Sequence, residues 1–83
     1  MNQKKIKKAS LSLKRNVADV VYIARRIESL ADQLQQRADR HLPEDGRVKL
    51  LSELMEDMTR KLILIQNDYQ TLDVYFPKGN RNE

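Results

Sequence analysis

The 83-residue chain contains no cysteine and no tryptophan, and it has only one histidine, two glycines and two prolines. Without cysteine it forms no disulfide and offers no thiolate ligand to a metal. A single histidine leaves too few groups for a serine–histidine–aspartate triad or a histidine-based metal site within one chain. A glycine-rich phosphate loop is also missing from the sequence. The composition therefore argues against an enzyme, and we expect no cofactor, no metal and no small-molecule substrate.

Long apolar runs are equally absent from the sequence. The longest runs, residues 20–24 and 62–65, are far shorter than the roughly 20 residues that span a bilayer. The basic start at residues 1–8 is not followed by the apolar block of a secretory signal. We therefore expect a cytoplasmic protein with no membrane partner.

Apolar residues instead recur every three and four residues along two long segments. This spacing keeps side chains on one face of a helix. The first stripe consists of Leu13, Val17, Val20, Ala24, Ile27, Ala31, Leu34 and Ala38. The second stripe consists of Val48, Leu51, Met55, Met58, Leu62, Ile65, Tyr69, Leu72 and Phe76. The pattern predicts two amphipathic helices of similar length.

One short breaker around Pro43 and Gly46 separates the two predicted helices. Ser10 is a suitable N-cap, and the residue before Pro43 is disfavoured in helical torsions. Helix one is thus predicted at about 10–41, the loop at about 42–46 and helix two at about 46–76. Residues 1–9 form a basic arm that either stays separate or extends helix one, and residues 77–83 form a disordered tail. The short loop predicts an all-α antiparallel hairpin with heptad spacing.

Helix one alternates large residues with a small register at Ala24, Ala31 and Ala38, which we expect to approach helix two closely. Several apolar residues remain outside the two stripes: Val21, Ile23, Leu30, Leu54, Ile63 and Leu64. Two helices cannot cover so wide an apolar face within one chain. The sequence therefore predicts a twofold homodimer forming a four-helix bundle, and a groove for a foreign helix is the rival use of the same surface.

Charge divides the chain into a basic and a mildly acidic half. Residues 1–42 hold ten Lys or Arg and four Asp or Glu, whereas residues 43–83 hold six and eight. A basic helix one attracts phosphates, and its candidate nucleic-acid contacts are Lys4, Lys5, Lys7, Lys8, Lys14, Arg15, Arg25 and Arg26. In topology and alanine spacing the hairpin resembles the Rop family of plasmid copy-number regulators. That resemblance implies a dimer that binds paired RNA loops, and it assigns no residue roles.

Our leading interpretation is a small helical interaction protein, such as a regulator, adaptor, inhibitor or chaperone, that contacts a protein partner through its helices. Ile63 and Leu64 are candidate contacts because they lie off the second stripe. Tyr75 and Phe76 are candidates because they belong to an aromatic cluster at the end of helix two, and aromatics are enriched in interfaces. Rop-like RNA binding by the basic face of helix one is the alternative, and a purely structural self-assembling module is a third hypothesis.

Overall fold

The computed structural model describes residues 2–77 and contains two helices, α1 (Gln3–Asp39) and α2 (Arg47–Tyr75). The helices pack against each other as an antiparallel hairpin that is 60 Å long. No strand occurs in the described part of the chain. The prediction of an all-α helical hairpin is therefore confirmed, while residues 78–83 of the tail expected at 77–83 lie outside the described residues.

The first helix begins about two turns earlier than the expected N-cap at Ser10. Ile6 and Ala9 are buried, and they continue the heptad spacing of the helix towards its N-terminus. This packing holds the lysine-rich segment in helical conformation. The basic segment at residues 3–9 is consequently the start of α1 rather than a separate arm, and Ser10 lies inside the helix.

At its other end α1 stops at Asp39 through a left-handed residue. His41 has φ = 54°, the Leu42 N–H donates to the Arg37 carbonyl at 2.9 Å, and the His41 N–H donates to the Ala38 carbonyl at 3.0 Å. This pair of hydrogen bonds is the Schellman arrangement, which satisfies the last free carbonyls of a helix. The helix therefore ends slightly before the predicted residue 41.

Charged side chains tie the loop to both helices. The Arg37 guanidinium donates to the Pro43 carbonyl at 2.7 Å and lies 3.3 Å from the Asp45 carboxylate. Arg47 also forms an ion pair with Asp45. Desolvation acts to raise the pKa of the Asp45 carboxyl group. The hydrogen bond from Arg47 and the charges of Arg37 and Arg47 outweigh this effect, so the pKa of Asp45 lies below its ordinary value. The loop thus brings the two helix ends together through one carboxylate.

A second loop carboxylate caps the start of α2. Glu44 accepts hydrogen bonds from the backbone N–H groups of Gly46, at 2.7 Å, and Val48, at 3.1 Å. These two hydrogen bonds stabilise the carboxylate and lower the pKa of Glu44 below its ordinary value. Glu44 therefore satisfies two of the four free N–H groups at the start of α2 and places a negative charge at the positive end of the helix.

The interior of the hairpin is narrow. Among the described residues, the buried apolar side chains are Ile6, Ala9, Ile23, Leu30 and Leu54. Ile23, Leu30 and Leu54 form a cluster against which Ile27, Leu34, Leu51 and Met58 pack. The predicted large-residue register of helix one and the matching register of helix two therefore do face the interior.

The small-residue register of helix one was assigned to the wrong face. Val17, Ala24, Ala31 and Ala38 are exposed, and the interior instead takes residues one position earlier, including Asn16, Ile23 and Leu30. The apolar stripe of α1 is three heptad positions wide. Combining the large-residue register with the register on either side of it therefore gives steps of three and four residues. The close approach expected at the alanines is consequently not a contact with α2.

The second helix shows the same one-residue difference. Its predicted interior positions Val48, Met55, Leu62, Tyr69 and Phe76 are exposed. The residues one position earlier, Arg47, Leu54, Lys61, Asp68 and Tyr75, are buried or half-buried instead. Polar side chains are accommodated there because they find partners on α1, as the next contacts show.

Candidate functional site

A polar cluster joins the two helices near the end of the hairpin that is remote from the loop. The Ser12 hydroxyl donates to Asp68 at 2.8 Å, and the buried Asn16 amide lies 3.4 Å from the same carboxylate. Asn16 also donates to the Ser12 hydroxyl oxygen at 3.2 Å. Each group gains a hydrogen-bond partner, which removes much of the cost of placing it between helices.

Further polar contacts continue along the same side of the hairpin. The Lys61 ammonium lies 3.0 Å from the Asp19 carboxylate, and Arg47 donates to the Gln33 side-chain oxygen at 2.9 Å. These contacts fix an antiparallel register in which α1 residues near 19 lie level with α2 residues near 61. We call this side of the hairpin the polar side.

The opposite side carries an aligned set of exposed apolar residues from both helices, and we call it the apolar flank. Its members are Val17, Ala24, Ala31 and Ala38 on α1 and Val48, Met55, Leu62, Tyr69 and Phe76 on α2. Each follows an interior position by one residue. Two antiparallel helices are related by a twofold axis perpendicular to the plane that contains them. Rotation about this axis exchanges the helices without exchanging the two sides of the plane, so equivalent heptad positions of α1 and α2 lie on the same side.

The apolar flank is long, and its α1 half and α2 half differ in shape. From Val48 to Phe76 it extends along about 40 Å of helix. Its six large side chains, those of Val17 and the five α2 members, are each 43–60% exposed. The cross-helix register brings Val17 level with Leu62 and Ala24 level with Met55. The α1 half of the flank is therefore a shallow alanine strip from Ala24 to Ala38, next to the loop, and the α2 half is a ridge of bulky side chains along its whole length.

A second surface, which we call the basic end, covers the first turns of α1. It consists of Lys4, Lys5, Lys7, Lys8, Lys14 and Arg15, and residues 3–18 contain no acidic residue. The Lys5 ammonium donates to the Tyr75 hydroxyl at 3.3 Å and lies 4.7 Å from the centre of its ring. Beside this pair, Lys8, Ser12 and Asp68 line an open groove of about 450 Å³.

The eight candidate nucleic-acid contacts do not form one surface. Arg25 and Arg26 lie about 15 Å farther along α1 than Lys14 and Arg15. Arg26 packs over the ring of Tyr22, 5.9 Å from its centre. The basic end therefore contains six of the eight candidates, and the remaining pair is separate.

The four candidate protein contacts are also dispersed. Ile63 lies on the outer face of α2, whereas Leu64 lies on the polar side near Asn16. Tyr75 is half-buried against Lys5, and only Phe76 belongs to the apolar flank. Sequence reasoning placed the other large members of the flank in the interior. The sequence does contain a signal for these residues. Ile23, Leu30 and Leu54 already complete the second interior register, so the apolar residues that follow them by one position are more than the interior can hold.

These features define a class of structure, an elongated two-helix hairpin whose polar cross-helix contacts and apolar flank lie on opposite sides. No group of three or more histidine or acidic residues in the described segment is arranged to hold a metal ion. Within residues 2–77, neither helix combines the length and apolarity needed to cross a membrane. The chain matches no protein-family model, no curated protein and no solved structure.

Proposed function

We propose that this protein is a small, non-enzymatic interaction protein of the cytoplasm whose apolar flank docks against helices of a protein partner. The observation that carries the proposal is the alignment of six half-exposed large apolar side chains on one side of the hairpin. Singly exposed apolar residues are ordinary, but a contiguous apolar surface rimmed by polar residues is typical of an interaction site. Helix faces with this spacing bind other helices.

The energetics favour covering this surface. The exposed area of the six side chains is roughly 600 Å², which at about 25 cal/mol per Å² corresponds to about 15 kcal/mol of transfer free energy. The cost of association is about 4–15 kcal/mol. Burial of the apolar flank, together with the matching area on a partner, is therefore large enough to support a stable complex.

A matched pair of tyrosines tests the proposal. Tyr69 lies on the apolar flank and is 60% exposed, whereas Tyr22 lies on α1 away from the flank and is 63% exposed. Each is replaced in turn by photoreactive benzoylphenylalanine, and the full-length protein is irradiated in its native cells. We expect a defined protein adduct from position 69 and none from position 22. Equal adducts from both positions, or none from either, would contradict the proposal.

The basic end supports a second candidate function, which is Rop-like binding of structured RNA. Six cations within the first turns of α1, with no acidic residue among them, form a surface suited to phosphates. The helical conformation of this segment holds the cations in a fixed array instead of a flexible arm. Titration of structured RNA and duplex DNA at two salt concentrations tests this function.

A further inference from the structure

We propose that the occupant of the apolar flank is a second copy of this chain, and that two hairpins pack flank to flank as a four-helix bundle. In this bundle α1 of each copy lies on α2 of the other. The inference rests on the proposed function, since it names the partner for the same surface. It is carried by the narrow interior of the hairpin, by the size of the flank and by its shape.

The hairpin alone buries very little. Its buried apolar side chains form a single layer between two helices, and no side chain in the described residues is less than 2% exposed. Small domains with so little core usually need a disulfide, a metal or oligomerisation, and this chain has no cysteine. A second copy is present wherever the chain is present, so self-association couples completion of the core to folding itself.

The size of the flank fits a dimer. Two copies packed through this surface would remove roughly 1,200 Å² of the six large side chains from water, before the alanines and the rim are counted, and stable interfaces bury about 1,200–2,000 Å². A twofold interface uses the same patch on both copies. The apolar flank meets this requirement because it carries both a strip of small residues and a ridge of large ones.

The shape of the flank selects one arrangement. Placing α1 on α1 would set alanine against alanine and leave the bulky α2 ridges to collide or to hold the copies apart. Placing α1 on α2 sets Val48 and Met55 of each ridge against Ala31 and Ala24 of the other copy. Farther from the loop, Leu62 meets Val17, and Tyr69 lies level with the small residue Ser10. Small residues opposite large ones are the usual means of reaching interior packing density.

The twofold axis of this arrangement runs parallel to the helices, and its consequences are specific. Rotation about such an axis leaves every residue at the same height along the bundle. Ala24 of one copy therefore faces Met55 of the second copy, and Val17 faces Leu62. Both loops lie at one end of the bundle, and both basic ends lie at the other.

Sedimentation of the purified full-length protein tests the choice of partner. We expect a dimer for the wild type. For Leu62→Lys we expect a dissociation constant about 100-fold larger, because two charges would be buried per dimer. Ile63→Lys is the matched control, since Ile63 is similarly exposed (56% against 49% for Leu62) but lies off the flank, and it should leave the dimer unchanged. Circular dichroism verifies that all three proteins remain helical. A wild type that stays monomeric up to about 100 μM, far above a micromolar dissociation constant, would overturn the inference.

Introduced cysteines test the arrangement, because the natural chain has none. Ala24→Cys protein mixed with Met55→Cys protein should form a disulfide-linked heterodimer on mild oxidation. The rival arrangement, with α1 antiparallel on α1, would instead link Val17→Cys protein to Ala24→Cys protein. That second product, with none of the first, would overturn the proposed packing.

The inference and the proposed function fail differently. A monomeric wild type that still forms a position-69 adduct with a different protein contradicts the second-copy inference and leaves the proposed function standing. A monomer with no adduct at position 69 contradicts both. An adduct with the mass of two copies supports both.

Discussion

At the residue scale, His41 has a positive φ, and among the described residues it is the one non-glycine residue that does. A left-handed conformation brings Cβ close to the following carbonyl oxygen, and glycine avoids this contact. We therefore expect His41→Gly to raise the free energy of unfolding by about 0.5–1 kcal/mol. Urea unfolding followed by circular dichroism measures the change.

Gly46 provides the opposite test of the same physics. Its φ is 101°, and nothing lies within 4 Å of an added Cβ, so a side chain there meets backbone strain but no steric contact. Gly46→Ala should lower the free energy of unfolding by about 1–2 kcal/mol. A stabilising Gly46→Ala, or a destabilising His41→Gly, would show that these loop torsions are wrongly assigned.

Glu44 makes the stability of the hairpin depend on pH. Its pKa is lowered in the folded state by the hydrogen bonds from the Gly46 and Val48 N–H groups, so the unfolded chain binds the proton more tightly. The contribution of the Glu44 carboxylate to the free energy of unfolding is fully present above its ordinary pKa of 4.5. It is lost as the pH falls through the lower pKa of the folded state. Glu44→Gln keeps the shape without the charge.

The gap in unfolding free energy between wild type and Glu44→Gln should therefore be constant near neutral pH and close below about pH 4.5. Unfolding curves at a series of pH values measure this gap. Asp45, whose pKa is also lowered, remains in both proteins, so the comparison measures the Glu44 carboxylate together with its repulsion of Asp45. A gap that persists unchanged to pH 3 would exclude the proposed capping role of the Glu44 carboxylate.

At the element scale, the helices, the loop and one register in each helix were predictable, because periodic apolar residues and a Pro–Gly breaker act locally. The other register was not. Val17 was preferred over Asn16, and Leu62 over Lys61, because an apolar residue is the better interior candidate when each is considered alone. The decisive facts are pairwise: Asn16 meets Asp68 and Lys61 meets Asp19 across the hairpin. A pattern within one helix contains no information about partners on the other.

The candidate site was displaced by the same error. Reasoning that placed Tyr69 and Leu62 in the interior left Ile63 and Leu64 as the candidate contacts. All four residues are exposed, but only Tyr69 and Leu62 belong to the aligned flank. The substitution Ala31→Leu, which a close approach of this register to α2 would make overpacked, shows the consequence. Ala31 is exposed in the hairpin, so this substitution meets no side chain of α2, and any cost would appear only in an assembly that covers the apolar flank.

A pair of leucines on α2 measures how much the interior contributes. Leu54 is 4% exposed in the central cluster, while Leu64 is 44% exposed on the polar side. Leu54→Ala removes packed methyl groups and should lower the free energy of unfolding by about 2–5 kcal/mol. Leu64→Ala should change it by less than about 0.5 kcal/mol. Similar losses for both substitutions, measured by denaturant unfolding, would show that the interior register is not the one described.

At the scale of the whole molecule, charge and apolar surface lie in different places. The basic end occupies the part of the hairpin remote from the loop, and the apolar flank extends along one side of both helices. In the proposed bundle the two basic ends lie next to each other, which doubles the number of cations available to a polyanion. Apolar packing and phosphate binding therefore do not compete for the same residues.

This separation makes RNA binding testable without disturbing the fold. Lys7→Glu with Lys8→Glu changes the basic end, and Arg25→Glu with Arg26→Glu makes the same charge change about 25 Å away along α1. All four side chains are exposed, and exposed charges contribute little to stability, so both variants should unfold like the wild type. If about four phosphates of duplex nucleic acid are neutralised, affinity should fall about 100-fold between 50 and 200 mM salt. The Lys7/Lys8 variant should lose most of this binding and the Arg25/Arg26 variant should retain it. Equal losses would make the attraction a property of net charge alone, and no binding at 50 mM salt would leave the basic end without a role in nucleic-acid recognition.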